Sequence, residues 1–451
     1  MLWGIKISRR DFLVCLSSAV LLVLSFPKTN YFFLSFIGLI PLLYGLDQRS
    51  YSKAFQLSYL TGVMFFAGTL FWFVHVTSLG AVLLILYFSV YFGLFGLGVR
   101  YFSSLSSLKK MFVLPALWVV CEFLRAHLLS GFSWVSLGHS QYQNIFLIQI
   151  ADITGVWGVS FLVVLFNVFI KEVIQSKTNQ GLLFFVFILI LGSVLAYGGF
   201  QINAFEKSQQ ELGQTSSLRI GIVQANIEQE LKWFEPAWPD ILDTYLALSK
   251  SILKENPDLI IWPETAFPGF LGESKETFER VRKYVIESKV PLLFGSVKKE
   301  GDKYFNAVVL LSGEGKIENE YDKIHLVPFG EYIPFRGRFP FLTDLIPIDD
   351  FSVGEKYTLF DLNLRTNNVL SKIATPICFE DTLGPLVRRF VNNGATLLVN
   401  VTNDGWFKDT KAPFLHLASS IFRAVENRRN LVRSANTGVS GFINPVGKVE
   451  S

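Results

Sequence analysis

The feature that most constrains this chain is the uneven distribution of its apolar residues. Long apolar runs follow one another from Asp11 to Phe200, whereas Glu206 to Ser451 has an ordinary globular composition. Hydrophobic residues make up 51% of the 451-residue chain and charged residues only 17%. This pattern is typical of a membrane domain followed by a soluble domain that can bury its own core. We place the two domains in residues 1–205 and 216–451, with Glu206–Ser217 as a polar linker.

Seven apolar segments of the first domain are candidates for membrane-spanning helices, each of which needs about 20 apolar residues. They are Phe12–Phe26, Tyr31–Leu46, Phe55–Val76, Ala81–Val99, Met111–Leu129, Val156–Ile170 and Leu182–Phe200. The first two are short, and we expect them to be tilted, paired or partly re-entrant. No small-residue cleavage site follows the first segment, which therefore predicts a retained helix rather than a signal peptide.

Basic residues are concentrated in every second loop, and this asymmetry sets the orientation of a membrane protein. One side carries Lys6, Arg9, Arg10, Arg49, Lys53, Arg100, Lys109, Lys110, Lys171 and Lys177, and the other carries Lys28 and Arg125. The pattern predicts a cytoplasmic N-terminus. An odd number of spans then places the second domain outside. Glu122 and Arg125, one helical turn apart in an apolar run, predict a structural ion pair near a helix end.

Apolar β-rich runs alternate with helical patterns in the second domain, which predicts a layered α/β fold. The predicted strands are Leu218–Gln224, Leu259–Trp262, Pro291–Ser296, Ala307–Leu311, Ile373–Cys378 and Thr396–Val401. The predicted helices are Trp238–Glu255, Lys275–Ser288, Leu383–Asn392 and Phe414–Asn430. The segment Gly313–Lys316 lacks the spacing of a phosphate-binding loop and predicts a hairpin turn.

Three reactive residues of the second domain point to acyl chemistry. Cys378 is the only cysteine of that domain, so no soluble disulfide partner exists for it. Cys378 and Glu264 both lie where predicted strands end, which is where sites in α/β sheets form. A carboxylate can take the thiol proton, and an ammonium such as that of Lys323 can stabilise a thiolate or an oxyanion. The residues alone leave a buried, unreactive cysteine open as the alternative.

The sequence around these residues resembles the carbon–nitrogen hydrolase (nitrilase) superfamily, whose catalytic Glu, Lys and Cys occur in this chain order. Further segments narrow the resemblance to the apolipoprotein N-acyltransferase family. They are Gly131–Trp134, Gly138–Gln141, Gly155–Ser160, Lys323–Glu331, Thr402–Trp406 and Arg423–Arg428. The resemblance implies an α/β fold class in which a multi-span helical membrane domain precedes a nitrilase-like α-β-β-α sandwich. It also implies closing strands and a final membrane helix that this sequence does not contain.

The resemblance further implies a ping-pong acyl transfer at the outer face of the bacterial inner membrane. Cys378 would take a fatty acyl chain from a phospholipid and pass it to the α-amine of a diacylglyceryl-cysteine apolipoprotein. Glu264 would be the general base, and Lys323 would stabilise the oxyanion. The implied partners are these two substrates and the lipid bilayer, with no cofactor, no metal and no nucleic acid, and we expect a monomer.

Five more residues are implied to support the site or to bind substrate. Glu331 and Glu380 match family glutamates that hold the lysine and shape the site. Trp233 matches a tryptophan near the acyl site, and Trp406 lies in a mobile-loop motif that would gate lipid entry. Phe379 stands where the family commonly has tyrosine. For each tryptophan, simple apolar packing is the alternative.

Two alternative functions remain open at the level of sequence. The first is a membrane-anchored amidase or nitrilase that hydrolyses a small amide. The second is an inactive, truncated homologue that binds lipoproteins as a scaffold.

Overall fold

The computed structural model describes residues 7–129, 131–175, 179–212, 218–333, 350–363 and 370–450. The chain divides into two compact units. Unit 1 comprises Met1–Phe205 and Asp409–Glu426, and unit 2 comprises Glu206–Lys408 and Asn427–Ser451. The segment Asp409–Glu426, which the sequence assigns to the second domain, therefore groups with the first unit.

The N-terminal part of unit 1 is built from helices. They are α1 (Arg9–Leu24), α2 (Ser35–Gly38), α3 (Ile40–Gly45), α4 (Tyr51–Leu70), α5 (Ser78–Tyr101), α6 (Ser107–His127), α7 (Ile145–Ile148), α8 (Ala151–Gln175) and α9 (Gln180–Leu212). The prediction of a polar linker from Glu206 is wrong over the described residues, because α9 continues to Leu212. Lys6 and Lys177, which contributed to the predicted orientation, lie outside the described residues.

Four helices in the described part of the chain are long and apolar enough to cross a membrane. They span Tyr51–His75, Ser78–Ser104, Ala151–Gln175 and Gln180–Glu211. The other three predicted segments are also helical, but α1 has only 16 residues. The second is divided into a 3-10 turn and the short helices α2 and α3, and α6 contains Pro115. The count of seven spans therefore stays a prediction.

Glu122 and Arg125 do not form the direct ion pair that their spacing predicts. Instead, Glu122 Oε1 accepts hydrogen bonds from the Trp118 indole at 2.8 Å and from the Leu137 N–H at 2.7 Å. Arg125 donates to the carbonyl of Trp134 at 2.7 Å. Both side chains thus hold the backbone that follows α6. Buried charged groups need hydrogen bonds of this kind to replace those they would make with water. The family-like segments in residues 131–141 owe their position to these contacts.

Unit 2 contains two mixed six-stranded sheets. The strands are β1 (Ile220–Ile222), β2 (Leu259–Ile261), β3 (Phe270–Leu271), β4 (Leu292–Glu300), β5 (Lys303–Leu311), β6 (Ile317–Asp322), β7 (Leu359–Asn363), β8 (Leu370–Ala374), β9 (Leu397–Thr402), β10 (Asn430–Ala435), β11 (Gly441–Ile443) and β12 (Val449–Glu450). The helices are α10 (Gln229–Lys232), α11 (Trp238–Ser251), α12 (Lys275–Ser288) and α13 (Gly384–Asn392), and α14 (Ala412–Asn427) belongs almost wholly to unit 1.

The first sheet has the order β1-β2-β4-β5-β6, with β3 paired to β4, and the second runs β12-β11-β10-β9-β8-β7. The first seven residues of β4 and all six of β9 are buried. Strands that are buried throughout need a covering layer on each face. On the first sheet, α11 and α12 supply one layer through residues such as Tyr245 and Val285. The predicted layered α/β fold is confirmed.

Local predictions succeed where the periodicity is strong. Helix α12 has the predicted bounds Lys275–Ser288, and Gly313–Lys316 forms the turn of the antiparallel β5–β6 hairpin. The strand predicted to reach Cys378 ends at Ala374 instead. Cys378 has a positive φ of 50° and begins a short 3-10 turn, which a strand cannot accommodate.

Gly295 of β4 allows the loop that carries Glu264 to pack closely on the first sheet. A Cβ on Gly295 of β4 would lie 2.6 Å from the Glu264 Cα and 2.6 Å from the Pro263 carbonyl oxygen. Both obstacles are backbone atoms, so neither can move aside cheaply. The loop that carries Glu264 therefore packs directly on β4 because residue 295 has no side chain.

We predict that Gly295→Ala lowers the Tm of the full chain by about 3–10 °C, since overpacking a tight backbone contact costs about 1–3 kcal/mol. Scanning fluorimetry in detergent measures the change. Gly192→Ala is the matched control, because nothing lies within 4 Å of a Cβ at that helical position. Equal Tm values for the two variants would contradict the close approach.

Candidate active site

The three predicted catalytic residues follow three different strands of unit 2. Glu264 lies three residues beyond β2, Lys323 directly follows β6, and Cys378 lies just beyond β8. The fold brings them together: Lys323 Nζ is 3.7 Å from Glu264 Oε1, and both charges act on Cys378. Among the described residues, no group of three His, Cys, Asp or Glu side chains is placed to hold a metal ion.

Lys323 is a buried ammonium between two carboxylates. Its side chain is 1% exposed, and Nζ lies 2.9 Å from Glu331 and 3.7 Å from Glu264. Burial lowers the pKa of Lys323, but the charges of Glu331 and then Glu264 outweigh it and raise that pKa above its ordinary value. The group therefore stays protonated at any physiological pH.

Asn306 joins the same two carboxylates. Its Nδ2 donates to Glu264 Oε1 at 2.8 Å and to Glu331 Oε1 at 2.8 Å. The second oxygen of Glu331 accepts the Val327 N–H at 2.8 Å. Sequence reasoning missed Asn306. The available signal was a polar residue inside the apolar strand β5.

Glu380 ties the lysine loop to the nucleophile turn. Oε1 accepts the backbone N–H groups of Ile324 at 2.8 Å and His325 at 2.9 Å, and Oε2 accepts that of Ile377 at 2.8 Å. The Tyr321 hydroxyl lies 2.9 Å from both oxygens. Burial raises the pKa of Glu380 to about 7, against the opposing effects of the nearby lysine and these donors. The carboxyl group thus fixes two loops at once.

Cys378 is held in a state that disfavours a free thiolate. Burial and then the negative charge of Glu264 raise the pKa of the Cys378 thiol well above its usual value, although Lys323 acts to lower it. The resting site therefore contains a neutral thiol beside the carboxylate. Such a thiol needs a base at the moment of attack, and Glu264 is the charged acceptor beside it.

Comparison with known proteins settles the family. Residues 18–169 match the apolipoprotein N-acyltransferase N-terminal domain, and residues 219–449 match the carbon-nitrogen hydrolase family. The apolipoprotein N-acyltransferase of Geobacter metallireducens is 36% identical over 469 residues, which cover 98% of this chain and 87% of that relative. This chain belongs to the apolipoprotein N-acyltransferase family.

Two other apolipoprotein N-acyltransferases agree with this assignment. Those of Chlorobaculum tepidum and Aquifex aeolicus are 30% and 31% identical, and each alignment covers 98% of this chain. They cover 88% and 95% of the respective relatives. The family and superfamily predicted from the motifs are confirmed, and with them the class of enzyme, an acyltransferase built on a carbon–nitrogen hydrolase fold.

Lys232 is a second buried lysine at this site, and the apolipoprotein N-acyltransferase motifs did not predict it. It is 7% exposed, and its Nζ donates to the Glu264 carbonyl at 3.0 Å and to Thr265 Oγ1 at 2.9 Å. Thr265 has a positive φ of 47°, an unusual conformation for a β-branched residue. Burial lowers the pKa of Lys232 to about 8, partly countered by the charges of Glu264 and Cys378. From sequence alone, a lysine in a short polar helix indicates only a solvated surface.

The remaining predicted residues divide into two groups. Phe379 is buried, and its ring stacks on His325 with centroids 5.9 Å apart. Trp233 and Trp406 are 49% and 47% exposed. The roles of these three residues, like those of Glu331 and Glu380, stay predictions.

Lys232→Met should lower the rate of acyl transfer roughly 10- to 100-fold, because the turn that carries Glu264 loses the hydrogen bonds that hold it.

Lys232→Met also changes how stability depends on pH, because it removes a poorly solvated charge. A pKa lowered from 10.5 to about 8 corresponds to a cost of about 3 kcal/mol, present in full below pH 8 and lost as the pH rises towards 10.5. The Tm of the variant relative to wild type should therefore fall between pH 7 and pH 10.

Lys254→Met is the matched control, since that side chain is 79% exposed. It should change neither the rate nor the pH dependence of the Tm. A Lys232→Met variant with the wild-type rate would show that Lys232 does not position Glu264.

Proposed function

We propose that this chain transfers a fatty acyl chain from a phospholipid to the α-amine of a diacylglyceryl-cysteine apolipoprotein. A thioester on Cys378 would be the intermediate. One observation carries the proposal: the buried ammonium of Lys323 lies between Glu264 and Glu331, beside the half-buried thiol of Cys378. Membership of the apolipoprotein N-acyltransferase family supplies the substrate classes.

The first half-reaction begins with proton transfer from the Cys378 thiol to Glu264 as sulfur attacks the ester carbonyl. A C–S bond forms, and the carbonyl oxygen becomes an oxyanion. The Lys323 ammonium is the fixed positive charge for that oxyanion, already oriented by Glu331 and Asn306. When the intermediate collapses, the C–O bond breaks. Glu264 returns its proton to the departing alkoxide, which leaves as a lysophospholipid.

The second half-reaction uses the same groups in the same roles. The neutral α-amine attacks the thioester carbonyl, and Glu264 accepts a proton from the attacking nitrogen. The C–S bond then breaks, and sulfur recovers a proton from Glu264. The product amide is more stable than the thioester, so the transfer needs no nucleotide and no cofactor.

The protonated resting state of the Cys378 thiol favours acyl transfer over reaction with other electrophiles. Because the thiol stays neutral until an ester is in place, Glu264 couples ionisation to attack. The pair therefore behaves differently from a preformed thiolate, which would react with any accessible electrophile. This property suits a site that must hold a thioester for a second substrate.

We further propose a bacterial inner-membrane location with the catalytic domain, residues 216–451, on the outer face. The basic residues at described helix ends support it. Arg9 and Arg10 begin α1, Lys53 lies near the start of α4, and Lys109 and Lys110 lie near the start of α6. Arg100 lies near the end of α5, and Lys171 lies near the end of α8. The positive charge therefore lies at the starts of α1, α4 and α6 and at the ends of α5 and α8, the alternation that the positive-inside rule requires. The enzyme is proposed to act as a monomer.

Intact-protein mass spectrometry tests the proposal directly. The full chain in detergent, incubated with vesicles of phosphatidylethanolamine and phosphatidylglycerol, should acquire one fatty acyl group. Cys378→Ala should acquire none, because it lacks the nucleophile. Cys121→Ala, which removes a buried thiol of α6, should behave like the native chain.

Each alternative function has its own outcome in this experiment. Turnover of small amides without an acyl adduct would identify an amidase. Absence of both reactions would favour the inactive scaffold. In that case, cells depleted of their own acyltransferase would not be rescued by the native chain, whereas an active enzyme rescues them and Cys378→Ala does not.

A further inference from the structure

Strand pairing places Thr402 beside the nucleophile. Ile377 pairs with Val401 in an isolated parallel bridge, so the residues that follow, Cys378 and Thr402, lie side by side. Thr402 is fully buried at the end of β9, and its hydroxyl is near enough to the Cys378 side chain to act to lower the pKa of the thiol. The thiol thus has a neutral polar neighbour in addition to Glu264 and Lys323.

Asn400, two residues earlier on β9, fixes the backbone of the nucleophile. Its Nδ2 donates to the Cys378 carbonyl at 3.1 Å and to the Pro376 carbonyl at 3.0 Å. Its Oδ1 accepts a hydrogen bond from Arg433 at 2.8 Å, which fixes the orientation of the amide. This support explains how Cys378 keeps its positive φ, a conformation that persists only where the surroundings impose it.

Arg433 links this support to a buried carboxylate. It donates to Asp404 at 2.7 Å, and both side chains are fully buried. A second carboxylate, that of Asp381, lies 3.5 Å from the same guanidinium. Buried charges persist only when they are paired and hydrogen-bonded in this way. Asp404 Oδ1 in turn lies 3.5 Å from the Thr402 hydroxyl, so the network ends at the group beside the thiol.

We propose that the Thr402 hydroxyl is a further catalytic group, which donates a hydrogen bond to the sulfur of Cys378 as the thiolate forms and keeps its own proton. Arg433, Asp404 and Asn400 are its positioning residues. The proposal deepens the proposed function and rests on Cys378 being the nucleophile.

The single hydroxyl proton has two acceptors, Asp404 Oδ1 and the sulfur. While the sulfur is a neutral thiol, the proton is free to lie towards Asp404, and the hydroxyl oxygen can accept the S–H. As Glu264 removes the thiol proton, the sulfur becomes the stronger hydrogen-bond acceptor. The Thr402 O–H then rotates towards the sulfur, and its O–H bond stays intact. The other charged groups that act on the thiol are Lys323, which favours the thiolate, and Lys232, which is close enough to interact with it electrostatically.

Alkylation of Cys378 by iodoacetamide, followed from pH 6 to 10 by peptide mass spectrometry, tests this role without any lipid. In Thr402→Val, which keeps the shape and removes the hydroxyl, the alkylation rate at each pH of this range should fall roughly tenfold, because the rate follows the fraction of thiolate. Thr402→Ser keeps the hydroxyl and should stay within about twofold of wild type.

Thr375→Val is the matched control. Thr375 is fully buried three residues before the nucleophile, and its hydroxyl has no hydrogen-bond partner among the residues that the structure describes. The control should leave the profile of Cys378 unchanged. If Thr402→Val does not fold, Thr402→Ala carries the same expectation, since it only removes atoms.

A Thr402→Val profile that superimposes on wild type would overturn the proposal, as would equal losses in Thr402→Val and Thr375→Val. The failure of the proposed function is a separate result. In that case, the alkylation profiles would shift as expected while phospholipid leaves no acyl group on the native chain.

Discussion

The site depends on the buried ammonium of Lys323. A lysine that is 1% exposed is tolerated only where carboxylates replace its lost hydration, and Glu331 at 2.9 Å and Glu264 at 3.7 Å do so. Every other feature of the site follows from keeping those carboxylates in place. Asn306 bridges the two, Lys232 fixes the backbone of Glu264, and Glu380 holds the loop that presents the lysine.

This arrangement determines how the thiol is activated. In a thiolate–imidazolium pair, the nucleophile is charged before substrate arrives. In the proposed mechanism, burial and the charge of Glu264 keep the Cys378 thiol protonated, so that ionisation coincides with attack. In the same proposed mechanism, Lys323 contributes mainly by stabilising the oxyanion, since its own charge is already balanced by carboxylates in the resting state.

The sequence was informative where chemistry and local pattern coincide. Glu264 and Cys378 follow predicted strands, Lys323 lies in a turn-rich segment, and the fold brings the three together. Helix α12 was predictable because its apolar positions recur at helical spacing within polar surroundings. Strand β6, by contrast, has three exposed residues at its start and gives no apolar signal, so only its pairing with β5 reveals it.

The residues that were missed share one property: their role exists only through tertiary contacts. Asn306 reaches the two carboxylates because β5 lies between β4 and β6, and Thr402 lies beside Cys378 because Val401 pairs with Ile377. Glu122 and Arg125 had the spacing of an ion pair, yet backbone groups of the following segment were better partners. Spacing along one element predicts which side chains can meet, but it does not predict competing partners from elsewhere in the chain.

The central claim is that the site makes an acyl-enzyme and withholds it from water until an amine arrives. Counting the lysophospholipid released per chain in the absence of acceptor tests it most directly. The expected result is a burst of one equivalent that then stops, with release resuming when a diacylglyceryl-cysteine peptide is added. Continuous release of lysophospholipid with free fatty acid, unaffected by the peptide, would contradict it.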